Sequence, residues 1–335
     1  MLPVPITVTH RARVVLVALV ASIACVPAPA SAQLEQWLSP TLGEQMFRSD
    51  YRLTYFPDQR VRQQPAELGL FEHRLSLSIP LWQDGSDEWT LGGSVRFQDI
   101  DTRAVLPQSY ERFPDELWDV RITPAYRHKF DNGWIAGGSV TIGSPSDRPF
   151  HSYDELLIRV AAFLRVPHGE RNAWFFTLNY SNRSEFLEGL PIPGIAYVYS
   201  PSDRFTAVIG FPFSSIQAEI VDKLSVQLVY TPVRTVRLRL NYQPFRPLRL
   251  YAGFDWDHDF YLRADRGDED DKLYYYEKRF TGGVRFDLRH VGVELSGGWA
   301  FDRFYFEGEG WSDRTDNRVR VGAGPFVVLR VGVRF

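Results

Sequence analysis

Apolar and polar side chains alternate one for one over run after run of this chain. Leu75, Leu77, Ile79 and Leu81 alternate with Arg74, Ser76 and Ser78. Trp89, Leu91, Gly93, Val95 and Phe97 alternate with Thr90, Gly92, Ser94, Arg96 and Gln98. The same holds where Val236, Leu238, Leu240 and Tyr242 alternate with Thr235, Arg237, Arg239 and Asn241. A period of two belongs to a strand, whose successive side chains point to opposite faces. A helix would bring Arg237 and Leu240 to one side, whereas a strand separates them. The pattern therefore predicts antiparallel β-structure with one apolar and one polar face.

The N-terminus carries a different signal. Arg11 and Arg13 precede an unbroken apolar stretch, Val14 to Val26, and a Pro/Ala/Ser tract ending Ala30-Ser31-Ala32. Charge, apolar core and small-x-small site in that order predict a secretory signal peptide over residues 1–32, with Gln33 as the new N-terminus. Pro27 and Pro29 argue against a buried helix there. Cys25 sits at the end of the apolar core, but Ser22-Ile23-Ala24 before it is a poor lipidation pattern. Cys25 is also the sole cysteine, so the mature chain has neither disulfides nor cysteine chemistry. After the signal no stretch approaches the ~18–20 apolar residues of a spanning helix. A membrane-spanning form of this chain must then be a closed barrel, since only helices and barrels satisfy the backbone in lipid.

Alternation alone also fits a soluble sandwich, and three further features favour the barrel. Short connections (Gln83–Asp87, Asp131–Gly133, His168–Ala173, Ser200–Asp203, Val221–Lys223, Gln243–Pro247 and Leu288–His290) alternate with longer ones such as Asp101–Asp115, Gly143–Asp154 and Arg263–Lys272. Outer-membrane barrels have this asymmetry, short on the periplasmic side and long outside. Aromatic residues bracket the short turns: Trp82 and Trp89 the first, Phe130 and Trp134 the second, with Trp174 after the third. Such rings favour the headgroup level and predict a membrane girdle. Finally, the chain ends on a strand with Val327, Leu329, Val331, Val333 and Phe335 on one face. Val331, Val333 and Phe335 resemble the C-terminal signal that the barrel-assembly machinery reads in outer-membrane barrels. The expectation is an all-β, antiparallel up-and-down transmembrane barrel of fourteen to sixteen strands over residues 49–335. Sixteen is the best parse, and 194–242 is the region that decides it. Residues 33–48 form a periplasmic N-terminal segment in this reading.

The stretch Leu190–Tyr197, with Ser200-Pro201-Ser202-Asp203 and Gly210-Phe211-Pro212, resembles a family of bacterial outer-membrane barrels known only as a domain of unknown function. The short hairpins from Asp203 to Tyr251 are similar to it too. The resemblance covers most of the mature chain and implies the fold, with no activity and no active residues.

With apolar residues facing lipid, the alternate face lines the lumen. Basic residues expected there are Arg96, Arg121, Arg127, Lys129, Arg159 and Arg165, then Arg237, Arg239, Arg249, Arg279, Arg285, Arg320, Arg330 and Arg334. Acidic ones are Asp119, Glu219, Asp255, Asp257, Glu277, Asp287, Glu294 and Asp302. A barrel of this strand number encloses more space than its own side chains easily fill. That predicts a porin-like passive channel for small polar or anionic solutes. The alternative is an Arg–carboxylate lattice that stiffens a non-conducting structural or surface-binding barrel. Asp255-Trp256-Asp257-His258-Asp259 and the acidic run Asp265–Asp271 match no calcium loop, and a solvated loop is the plainer reading. A membrane-embedded lipid hydrolase is the weakest option, because the mature chain has no Gly-x-Ser-x-Gly and no His-Glu-x-x-His. Charge spread singly, with no basic block, argues against nucleic acid. The expected partners are outer-membrane lipid and lipopolysaccharide, with no cofactor or metal.

Overall fold

The protein is described by a computed structural model covering residues 36–184, 188–232, 235–315 and 318–335; the expected signal peptide lies outside these described residues. The strands are β1 Arg48–Arg62, β2 Glu67–Gln83, β3 Asp87–Thr102, β4 Glu116–Lys129, β5 Ile135–Ser146 and β6 Leu157–His168. There follow β7 Asn172–Ser181, β8 Ile192–Ser202, β9 Phe205–Phe211, β10 Ser214–Val221, β11 Leu224–Thr231 and β12 Thr235–Phe245. The last are β13 Leu248–Tyr261, β14 Lys272–Asp287, β15 Val291–Gly308, β16 Val319–Val321 and β17 Gly324–Arg334, with one 3-10 turn at Trp311–Thr315.

Each strand from β1 to β15 pairs antiparallel with the next, β17 pairs with β15, and β1 pairs with β2 on one side and with β16 and β17 on the other. Because β16 and β17 both lie between β15 and β1, they fill one wall position. The result is a closed up-and-down barrel of sixteen strands. Closure removes every sheet edge, so the backbone is satisfied without water. The uncertain region around β8 to β12 contributes all of its expected hairpins.

Side-chain alternation sorts the two faces. Leu81, Ile209, Phe211, Phe245, Phe280 and Leu295 are exposed on the outside, a coverage that a water-soluble protein rarely carries and that lipid accommodates. The inner face is mixed. On the long-strand side Phe56, Leu68, Leu70, Ile100, Leu117, Tyr275 and Phe326 point inward and form a packed core. The β3–β4 loop adds Ala104, Leu106 and Phe113 to that core, and Phe113 packs edge-on against Tyr305 at 5.0 Å.

The wall is uneven in height. Strands β2, β14 and β15 run 17, 16 and 18 residues, while β9, β10 and β11 run only 7, 8 and 8. Tilted spans need about 9–11 residues, so the low side falls just short of a full span and the tall side exceeds one.

Two inward expectations fail, each for a local reason. The register of β14 against β15 shifts between Tyr276 and Lys278, and Asp302 takes the extra position with φ +50°. A bulge flips the parity beyond it. Asp302 therefore meets Lys278 at 2.7 Å on the outer face, while Arg303 and Tyr305 turn inward. Arg320 lies between Val319 and Val321, both in the inner core, and so points out.

The chain closes on Phe335, whose ring stacks with His290 at 5.3 Å and whose N–H donates to the Phe47 carbonyl at 3.1 Å. Replacing Phe335 with Ser removes that contact at the final strand end. The expected result is slower membrane insertion, seen as a smaller heat-modifiable band at early refolding times. An unchanged time course would refute a role for Phe335 in insertion.

Candidate functional site

A path through the barrel depends on what occupies its interior, and three structures do. The first is the segment 36–46, expected from sequence to be a periplasmic segment, which folds against the inner wall at the short-turn end. Trp37 stacks on Phe163 at 4.6 Å and joins Leu42, Ile135, Phe175, Val198 and Val208 in an apolar cluster. Arg127 donates to the backbone carbonyls of Gln36 and Thr41 and to Glu88 at 2.8 Å. Glu88 in turn accepts from the Gln36 side chain at 2.7 Å, and Gln45 and Gln83 bond reciprocally at 3.0 Å. Gly43 has φ +83°, and a Cβ there would lie 2.7 Å from the Asp84 carbonyl. Only glycine permits that approach without strain.

The second is a belt of charge on the inner face at mid-height. The ladder registers place Arg330, Arg52, Arg74 and Arg96 side by side on four successive wall positions. Directly opposed like charges repel, so the row depends on carboxylates from neighbouring rows. Asp50 pairs with Arg330 at 2.6 Å, and Glu72 pairs with Arg96 at 2.6 Å and with Arg74 at 3.5 Å. Asp259 reaches across the lumen to Arg96 as well. Arg52, between two arginines, makes no ion pair among the described residues. On the facing wall Asp255 pairs with Arg237 at 2.9 Å and with Arg279 at 3.6 Å.

The third is the set of outer loops. Pro145 and Leu262, on walls half-way around the ring from each other, join by a 2.7 Å backbone bond, with Ala264 N–H on Asp147 at 2.8 Å. Arg263 pairs with Glu111 at 2.7 Å and Glu307 at 3.3 Å, tying the β13–β14 and β3–β4 loops to the end of β15. In the β13–β14 loop, burial and the nearby Asp268, Glu307 and Glu309 hold the Asp271 carboxyl above the usual carboxylate range. The folded loop therefore binds the proton better than free chain does, and lowering the pH through that range tightens it.

One sector of the interior stays polar and open. Thr206, Gln217, Ser225, Gln227, Asn241 and Arg249 on β9–β13 face a cavity of about 550 Å³ at the short-turn end. From β9 to β12 no long loop rises, since the outer connections there are 212–213 and 232–234; the long β13–β14 loop begins only at the edge of this sector.

The expected site residues fall as follows. Arg121 pairs with Asp119 at 2.6 Å, Arg285 with Asp287 at 2.7 Å, and Arg249 with Asp287 at 3.2 Å. Arg239 lies 4.4 Å over the Tyr251 ring, Arg237 reaches Asp257 at 3.5 Å, and Glu294 accepts from Tyr251 at 2.5 Å. Arg159 is in register with Thr141 and Ser181 on the lumen side. Trp82 and Trp89 are cross-strand partners; with Trp134 and Trp174 they are 40–52 % exposed on the outer face near the short turns. Val331 and Val333 pair with Tyr51 and Ser49 on β1. Sequence reasoning passed over Arg52, Asp50, Glu72 and Glu88, although Arg52 alternates with Tyr51 and Leu53 just as the expected lumen arginines alternate with their apolar neighbours. It also gave no role to Trp37, which lies outside any periodic run.

Fold and interior together define a transmembrane β-barrel of the outer-membrane type. No family model matches the chain, and no curated protein matches it, so the likeness to a domain of unknown function stays a likeness. Among solved structures it is similar to an outer-membrane channel from Pseudomonas putida F1, at 11% identity and TM-score 0.39 over 87% of this chain and 95% of that one. It is also similar to OccK7 (OpdD) of Pseudomonas aeruginosa, at 10% identity and TM-score 0.38 over 87% and 99%. The Pseudomonas putida toluene transporter TodX matches at 9% identity and TM-score 0.35 over 86% and 88%. Likenesses at this level assign neither an activity nor a solute.

Proposed function

We propose that the barrel is a narrow outer-membrane channel for small polar or anionic solutes, with its route along the inner face of β9–β13. The observation that carries this reading is the polar sector itself. Its lining is hydroxyl, amide and guanidinium, it holds the cavity of about 550 Å³, and it leads to the lowest part of the rim. The remaining interior is packed with apolar core and loops, which confines solutes to that side and makes the passage narrow, and Arg237 and Arg239 of β12 bring the charged belt against the route. The belt adds sign: with Arg52 unpaired beside Arg74 and Arg330, the field at mid-height favours anions.

A non-conducting structural or ligand-binding barrel is the second reading, favoured by the bonds that join opposite walls at the outer end. A hydrolase has less support. The ring nitrogens of His73, His128, His168 and His290 bond Tyr51, Asp87, Tyr197 and the Arg334 carbonyl, none of them a serine.

Refolded protein lacking residues 1–32, inserted in a planar bilayer under a salt gradient, tests the channel. Small, reproducible current steps with a reversal potential of anionic sign are expected. Repeated insertion without current would overturn the channel and leave the structural reading.

A further inference from the structure

The outer face of the tall wall carries charge where lipid begins. Above the apolar band, the registers align Arg62 of β1, Arg320 of β16, Phe304 of β15 and Tyr276 of β14 in one outward row. Arg62 and Arg320 are direct cross-strand partners and both are exposed. Two guanidiniums so opposed destabilise the sheet unless an anion lies between them. A third, Arg318, sits 4.5 Å over the Phe304 ring. None of the three is ion-paired among the described residues. Below the row, Lys278 lies 5.4 Å from the Tyr276 ring and 5.6 Å from that of Trp256, held by Asp302.

The surface directly beneath, on the same strands, is apolar. Phe280, Trp299 and Val327 are exposed there, and Tyr55 stacks on Phe71 at 4.5 Å. A basic, aromatic-backed shelf above an outward apolar strip is complementary to one kind of molecule: an amphiphile with an anionic head and several acyl chains. The shelf lies at the long-loop end, at the level of the outer-leaflet headgroups, because the short turns and Phe335 mark the opposite end. Guanidinium recognises phosphate through paired, charge-assisted hydrogen bonds.

We propose that Arg62, Arg318 and Arg320 form a binding site for the phosphates of an acylated, phosphorylated glycolipid of the outer leaflet, its chains lying on Phe280, Trp299 and Val327. The bulge at Asp302 belongs to this site. By turning Asp302 outward it fixes Lys278 against the aromatic rings, at the lower edge of the shelf. The site is on the outside of the barrel and is independent of conduction.

The test compares full-length mature protein with the triple variant R62Q/R318Q/R320Q, both refolded in neutral detergent. The probe is a bis-phosphorylated, acylated glucosamine disaccharide, with its dephosphorylated form as control. Retained lipid is counted by native mass spectrometry. These side chains are on the surface, and heat-modifiability confirms that the variant folds. Wild type is expected to retain the phosphorylated lipid at least about tenfold more tightly than the variant does, since each Arg near an anionic headgroup adds to its retention. The dephosphorylated lipid should bind both proteins equally. Equal retention of the phosphorylated lipid by the two proteins would overturn the site. Displacement of that lipid by millimolar inorganic phosphate would overturn the lipid as its occupant and leave a site for free phosphate.

Discussion

Removing residues 36–46 is expected to raise single-channel conductance several-fold while leaving the barrel assembled. The segment lies inside the wall at the short-turn end, where Trp37 and Leu42 cover the apolar patch of Ile135, Phe163, Phe175 and Val198. It also occupies the Arg127–Glu88 pair, both partners of which are almost wholly buried. Deletion exposes that patch and admits water to the pair, and none of the ladder bonds of the wall involves these residues. The wall should therefore persist, and heat-modifiability measures whether it does. A subtler variant separates plugging from general damage. Gly43→Val places a side chain against the Asp84 carbonyl in a backbone conformation that valine does not adopt. It should dislodge the segment without shortening the chain and reproduce the larger steps. Unchanged conductance in an assembled deletion variant would show that the segment does not obstruct the path.

The second large effect concerns Arg52. At ~7 Å and an effective dielectric of ~20, one charge is worth about 2 kcal/mol to a passing ion, more than tenfold in local concentration. Arg52→Glu reverses that charge, so the anion preference should collapse or invert. Stability should move the other way. The new carboxylate sits in register between Arg74 and Arg330, and each opposite-charge cross-strand pair contributes roughly 0.2–1 kcal/mol. A purely structural arginine would lose stability on reversal, whereas a selectivity residue held in a like-charged row loses function and gains stability. A variant that is less stable and equally selective would refute the assignment.

Those two predictions rest on features of unequal legibility. Arg52 was readable, because it alternates with Tyr51, Leu53 and Tyr55 as Arg237 alternates with Val236 and Leu238. What the sequence lacked was register: nothing local says that Arg52 faces Arg74 rather than Glu72 on β2, or Arg330 rather than Val328 on β17. Trp37 was not readable at all, because a few non-periodic residues before the first strand acquire meaning only from the wall they touch. Asp302 and Arg320 show the reverse failure, in which parity was applied across a bulge and a broken strand. Each residue added or skipped there moves every later side chain to the other face.

The sequence by itself determined that the chain is a barrel, how its short and long turns alternate, which face each regular strand turns outward, and a count of fourteen to sixteen with sixteen as the best parse; closure of the wall settled it at sixteen. Those features are local: period two, turn residues and the placement of aromatic rings recur within each hairpin. Only the tertiary structure decided what fills the barrel. The apolar core behind β1–β4 and β13–β17, the segment seated on Phe163, the bond from Pro145 to Leu262 and the arginine row all join residues far apart in the chain. Each depends on the closure of the wall and on a register that no single strand encodes.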